Sequence, residues 1–274
     1  MKKFFKWLFI LILIAIFGGL ALFFMMGIRT ANEYEARHPM SSLVEQVETK
    51  PDYVPYEYVN PTLYQATIAI EDARFYKHDA VDVKSLLRAA ASQVVPFIPR
   101  SGGSTIDMQT VKNLYGQYEG SAVWKAGEIV LATRLDKLCT KEEIMSLYVN
   151  IINYGNNFHS ISEASMGYYG VTPDQLTDAE AILLAGIPQA PEAFNPITNF
   201  DAAKRKQKLV LDAMVRNEMI SQEQADALYE EDVRPLQIRT YALIEENNAS
   251  IMSFSKRMTQ ILPAASALRF ALRV

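Results

Sequence analysis

The first 26 residues constrain this chain more than any other stretch. Lys2, Lys3 and Lys6 lead through Phe4, Phe5 and Trp7 into an almost unbroken apolar run from Leu8 to Met26, without one acidic side chain. At 1.5 Å of rise per residue, a helix of this length crosses the roughly 30 Å of hydrocarbon in a bilayer. The run is longer than a signal-peptide core and has no convincing small-x-small cleavage site, so a retained single-pass anchor is expected. Cationic flanks stay in the cytoplasm, which puts everything after Arg29 outside the cytoplasmic membrane.

Behind the anchor, a chain of 274 residues that is 50% apolar has material for one globular domain. Setting the three anchor lysines aside leaves 24 basic against 31 acidic side chains, a net of −7. Such a surface repels phosphodiester backbones, so no nucleic-acid partner is expected. Cys139 stands alone, without an intramolecular disulfide partner, and reads as a small buried core residue. Pro39, Pro51, Pro55 and Pro61 among polar and tyrosine residues suggest a partly extended stalk over residues 27–61.

From residue 62 the pattern is helical. Thr140 with Glu143, Thr177 with Glu180, and Ser221 with Gln224 have capping-box spacing, and apolar residues follow at helical intervals. Gly170 and Gly186 read as helix stops. No stretch alternates polar and apolar residues between hairpin turns, so the expected class is all-α. The division expected is a cytoplasmic tip (1–3), a transmembrane anchor (4–26), the stalk (27–61), a folded domain (62–235) and a tail (236–274).

Three polar segments carry the candidate chemistry. In "AIEDARFYKHDAVD", residues 69–82, a helix continuing through Lys77 would put Glu71, Arg74 and His78 on one face, and the interleaved Ile70 and Phe75 suggest a segment wedged against a core. A solvated helix face is the alternative. In "WKAGEIVLATRLDK", residues 124–137, Lys125, Glu128, Ala132 and Asp136 recur along one face, as they would on a salt-bridged surface helix. "RSGGSTIDMQ", residues 100–109, places two glycines and two hydroxyls at a helix start, where backbone N–H groups and the helix dipole favour a phosphate. Ser104 and Asp107 also fit a simple helix cap.

Together these segments resemble the glycosyltransferase domain of bacterial peptidoglycan polymerases, family 51, found in class A penicillin-binding proteins and in monofunctional membrane-anchored enzymes. The family motif E-D-x-x-F-x-x-H-x-G-x-D falls on Glu71, Asp72, Phe75, His78 and Asp82, with Ala80 at the usual glycine, and Arg88 fits a following arginine. G-G-S-T-I-T-Q-Q-x-x-K-N-L fits Gly102, Gly103, Ser104, Thr105, Ile106, Gln109, Lys112, Asn113 and Leu114, with Asp107 and Met108 replacing threonine and glutamine. R-K-x-x-E and the later Y-x-N fit Lys125, Glu128, Tyr148 and Asn150, with Trp124 in place of the arginine. Gly155, Ala164, Tyr168, Tyr169 and Gly170 follow without a gap, and "LTDAEAILLAGIPQAPEAFNP", residues 176–196, matches most closely.

The resemblance implies a lysozyme-like, two-lobed, all-α domain that polymerises lipid II outside the membrane. It implies that Glu71 is the general base for the attacking sugar hydroxyl, in an inverting reaction that makes a β-1,4 linkage and releases undecaprenyl diphosphate. Arg74, Lys112 and Lys125 are the implied cations for that leaving group. Glu128 is the second carboxylate, positioning the diphosphate through lysine or a divalent metal, Mg²⁺ or Mn²⁺. Ser104, Thr105 and Gln109 would supply hydrogen bonds in the donor cleft, and Asp72, Phe75, His78, Gly103, Asn113 and Asn150 complete the implied substrate-binding set. Implied partners are lipid II, the growing lipid-linked glycan, the cytoplasmic membrane and other cell-wall synthesis proteins.

Departures from the pattern open a second reading. Asp107 would add negative charge near the diphosphate and Trp124 removes a cation, which suits a weak or inactive, membrane-tethered scaffold that binds lipid II or glycan. The apolar "VVPFI", residues 94–98, fits either a membrane-dipping surface or core packing. "SFSK", residues 253–256, matches S-x-x-K by chance, and residues 249–274 read as a tail helix on the domain or against anionic lipid.

Overall fold

The computed structural model describes residues 2–95, 97, 102–118, 120–241, 243–245 and 252, and no strand occurs among them. The fold is all-α. Helix α1, Lys2–Arg37, is one unbroken rod of about 54 Å whose apolar half is exposed over the length needed to cross a membrane. It does not stop at the end of the span: Ala31 is fully buried, and the last turns lie along α6, Ala122–Leu138. Residues 27–61 are therefore not a partly extended stalk. Helix α2, Met40–Glu48, buries Met40, Val44 and Val47, and a single 3₁₀ turn over Tyr56–Tyr58 leads into α3.

Helix α3, Pro61–Glu71, starts where the Asn60 side chain accepts from the Thr62 N–H at 2.8 Å and Pro61 fixes the first turn. It ends at Glu71. Asp72 leaves the helix at φ −155°, ψ 73°, so the expected helix through Lys77 is replaced by a bend and a short 3₁₀ turn, Phe75–Lys77. Tertiary contacts override the local pattern there. Asp72 turns its carboxylate to His78 Nε2 (2.8 Å) and to the N–H of Ile106 (3.1 Å), which pins the loop to the first turn of α5, Ile106–Leu114.

Two groups of helices result. In one, α9, Asp178–Gly186, packs between α3 and α10, Phe200–Arg216, with α11, Gln222–Glu230, alongside. Every residue of α9 from Ala179 to Gly186 is buried, and all but the ion-paired Glu180 are apolar or glycine, as a helix packed on several sides requires. Gly186 is helical rather than a left-handed stop; a Cβ there would lie 2.8 Å from Lys206 Cγ, so the glycine admits the stem of that lysine. Gly170 is a left-handed stop, φ +69°, at the end of α8, Ile161–Tyr169. The other group joins α1, α5, α6 and α7, Lys141–Ile151, with α4, Val83–Val94, near the loop before α5.

All three capping boxes form as the spacing predicts, at Thr140, Thr177 and Ser221. The cap of α5 is Thr105 rather than Ser104, and Cys139 is half-buried, without a disulfide. Val95 and Phe97 are exposed, whereas 96 and 98 lie outside the described residues. "SFSK" and all of 249–274 except Met252 lie outside them too. The tail begins docked: Leu236 covers Gly170, and Arg239 pairs with Glu180 at 3.1 Å.

Candidate active site

Three places along the chain meet where the two helix groups join: the end of α3, the loop into α5, and the first turns of α6. Glu71, half-buried, accepts a 2.8 Å hydrogen bond from the Gln109 side-chain amide. Gln109 in turn accepts from the buried Tyr148 hydroxyl at 3.4 Å, which fixes the direction of the amide. One helical turn after Gln109, Lys112 stands over the Tyr118 ring, 5.6 Å from its centroid. Helix α5 thus carries both the group that holds Glu71 and a cation.

Across from it, the Lys125 ammonium donates to Ser104 Oγ at 2.8 Å and to Glu128 Oε1 at 2.7 Å. Glu128 is only 3% exposed, so the stripe on α6 is not a solvated surface. Two cavities meet at Ser104. One, about 450 Å³, is lined by Gln109, Lys112, Tyr118, Trp124, Lys125 and Glu128. The other, about 380 Å³, is lined by Glu71, Arg74, Asp82, Ser85, Arg88 and Arg216, among others. A carboxylate on one side and two ammonium groups on the other suit removal of a proton and acceptance of negative charge across the same ligand.

The remaining motif residues build the frame. Phe75 and Asn150 are buried; Asn150 accepts from the Val54 N–H at 2.9 Å and donates to its carbonyl at 2.8 Å, tying the segment before α3 to α7. Thr105 caps α5 and donates to the Ala80 carbonyl at 2.6 Å. Gly103 packs against Ala89, where a Cβ would come within 3.0 Å, so its smallness serves α4. Asn113 donates to the Gln109 carbonyl and accepts from the Tyr118 hydroxyl. His78 sits between Asp72 and the Asp79 carbonyl. Burial disfavours its charged form, but these two oxygens outweigh that and raise its pKa above the ordinary value.

Arg74 forms a two-pronged pair with Asp82, with Nε to Oδ2 at 3.0 Å, which sets the cation beside Glu71. Burial acts against the Asp82 charge, yet the Ser85 hydroxyl and N–H together with Arg74 hold its pKa well below the carboxylate range. Asp72, His78 and Asp82 cluster closely enough to hold a cation, but each already has these partners. On the lysine side Glu128 is the one carboxylate among the lining residues, and Lys125 already holds one of its oxygens. Side chains alone therefore fall short of the six oxygens that Mg²⁺ takes.

The two charge-altering departures part ways: Asp107 turns away from the cleft, whereas Trp124 lines it. Asp107 is fully buried and pairs with Lys141 at 2.8 Å, which also pairs with Asp136 at 2.7 Å. Its charge does not reach the cleft, contrary to the sequence expectation. Trp124 packs edge-on against Tyr34 of α1, with ring centroids 5.0 Å apart. Arg216, Asn217, Ser85 and Tyr118 also line the cavities, unannounced by any local signal; Arg216, in the last turn of α10, reads in sequence as an ordinary helix terminus. Lys206 was equally hidden: it is buried, donates to Gln189 at 2.7 Å, and burial lowers its pKa while the Glu71 charge acts in the opposite sense.

Compared with known proteins, the chain matches the family model described as Transglycosylase over residues 37–215. It is 35% identical over 224 residues to a Cupriavidus necator protein named as a transglycosylase, covering 82% of this chain and 95% of that one. It is 40% identical over 179 residues to penicillin-binding protein 2D of Bacillus subtilis, covering 65% of this chain and 26% of that one. To penicillin-binding protein 1A of Escherichia coli it is 35% identical over 202 residues, 74% of this chain and 23% of that one. The chain spans about a quarter of the length of these two penicillin-binding proteins. With the family model matched over most of its length and Glu71, Lys112, Lys125 and Glu128 gathered around one cleft, the chain belongs to the transglycosylase family and carries a peptidoglycan glycosyltransferase domain.

Proposed function

We propose that the protein polymerises lipid II on the outer face of the cytoplasmic membrane, anchored by α1 with its N-terminal lysines inside. The observation that supports this best is the placement of Glu71 opposite Lys112 and Lys125, linked through α5. In this reading the 4-hydroxyl of the lipid II N-acetylglucosamine attacks C1 of the terminal N-acetylmuramic acid of the lipid-linked chain. Glu71 takes the hydroxyl proton as the new C–O bond forms. The bond from C1 to the phosphate oxygen breaks on the opposite face, giving a β-1,4 linkage with inversion.

The departing undecaprenyl diphosphate carries the electron pair and meets Lys112 and Lys125, with Glu128 holding Lys125 in place. Because Gly27, at the end of the span, touches Ala126 of α6, these lysines stand near the membrane surface, where a diphosphate sits while its lipid tail stays in the bilayer. If a divalent cation binds here, Glu128 is the side chain that would hold it, and it would supply further positive charge for the leaving group. The scaffold reading loses one of its two supports, since Asp107 is buried and paired outside the cleft, and keeps the other, the cation that Trp124 replaces.

The test is glycan-strand formation from lipid II by the detergent-solubilised full chain, with Glu71→Gln beside it. Polymer is expected from the parent, and a loss of about 10³-fold or more from the variant at unchanged melting temperature. Lipid II bound by the parent without polymer would restore the scaffold.

A further inference from the structure

The heaviest packing between the anchor and the domain lies directly behind the lysine cavity. Position 27 has no room for a Cβ, which would come within 2.6 Å of the Ala126 carbonyl, and a Cβ on Gly127 would come within 2.7 Å of Thr30. Two glycines thus bring α1 and α6 into backbone contact at the start of α6. Higher up, Arg134 of α6 donates to Asn32 at 2.6 Å and pairs with Glu35. Tyr34 lies on α1 between the two residues that Arg134 holds, Asn32 and Glu35.

Its ring meets Trp124 edge-on at 5.0 Å and Tyr115 at 5.8 Å. Trp124 immediately precedes Lys125, and Tyr115 ends α5 three residues after Lys112. One ring from the anchor helix therefore braces the residues beside both lysines. Tyr115 also reaches past Tyr34 to donate to the His38 carbonyl at 3.2 Å. Trp124 itself lines the cavity, and its indole N–H has no acceptor among the described residues, so packing alone holds the ring.

We propose that Tyr34 is a positioning residue for the leaving-group site, setting Lys125 through Trp124 and Lys112 through Tyr115. This rests on the reading above that the two lysines meet the diphosphate. Trp124 then has a function of its own at the position where the family pattern has a cation. It transmits the placement of the anchor to the cleft.

The protein has two tryptophans, Trp7 and Trp124, so a Trp7→Phe full-length chain reports Trp124 emission alone. In that background, Tyr34→Ala is expected to lower kcat/KM for lipid II about tenfold and to red-shift the emission, because the ring's cover is lost. Tyr34→Phe, which keeps the ring, should retain both. Val47→Ala, a buried change in α2 away from the cavity, should lower the melting temperature without moving kcat/KM. Trp124→Arg should reduce polymerisation despite restoring a cation.

Parent-like kcat/KM in Tyr34→Ala, an equal loss in Val47→Ala, or a gain in Trp124→Arg would each overturn the proposal. A parent that makes no glycan would sink the functional reading instead. The positioning idea would then be decided by inorganic pyrophosphate binding, read from Trp124 emission: weaker binding in Tyr34→Ala upholds it, and equal or absent binding in parent and variant overturns it.

Discussion

At the scale of single residues, two buried carboxylates, Asp107 and Asp82, have opposite pH behaviour. Burial pushes the Asp107 pKa from 3.8 up to about 6 despite the Lys141 ammonium beside it. A carboxyl whose folded pKa is raised contributes stability that is complete below the unfolded value and is lost as pH rises through the folded value. Asp82, depressed by Ser85 and Arg74, behaves oppositely and loses its contribution as pH falls below the carboxylate range. Between pH 4 and 7 the parent should therefore lose stability relative to Asp107→Asn, by on the order of 2 kcal/mol. Melting temperatures of the two proteins measured across that range check this, and parallel curves would exclude it. The identities of Glu71, Lys112, Lys125 and Glu128 were legible in the sequence because their motifs are ordered and specific. Where Asp107 points was not, since the ammonium that receives it inside the core belongs to Lys141, 34 positions away.

Among the elements, α6 illustrates how a helix can be correctly read and still misjudged. Its polar stripe has surface periodicity, yet Glu128 and Ala132 are buried because α1 and α5 cover it from two sides. The α1 contact depends on small residues, which a periodicity argument passes over. Gly27→Val would push a side chain into the Ala126 carbonyl, a backbone atom that cannot move aside. Overpacking of this kind costs about 1–3 kcal/mol, so the melting temperature should fall by roughly 2–10 °C. A thermal-shift measurement decides the matter, and an unchanged value would mean that α1 and α6 do not pack this closely. Capping boxes were readable because they are local chemistry within four residues. The stop after Glu71 was not, because Asp72 leaves the helix for His78 and for the N–H of Ile106, 34 positions further on.

For the whole molecule, anchor and domain form one continuous body rather than a domain on a tether. Removing residues 1–26 leaves Gly27, Ala31 and Tyr34 in place, whereas removing residues 1–37 uncovers the faces of α6 and α5 that carry Trp124 and Tyr115. A chain beginning at residue 27 should melt within a few degrees of the parent, and one beginning at residue 38 at least about 5 °C lower. Equal melting of the two truncated chains in detergent would contradict this unity. The amino-acid sequence by itself determined the long apolar N-terminal helix, the all-α class, the helix caps and the chemical inventory of the cleft. The first three follow from hydropathy, periodicity and capping chemistry, which are properties of neighbouring residues, and the last from the resemblance of the ordered motifs to the transglycosylase family. Only the tertiary structure decided that Gln109 holds Glu71, that Asp107 faces away from the cleft, and that the end of the anchor braces the lysine side. Those outcomes depend on which helix faces meet, and the meeting residues lie between about 30 and 100 positions apart in the chain, beyond the reach of any local pattern.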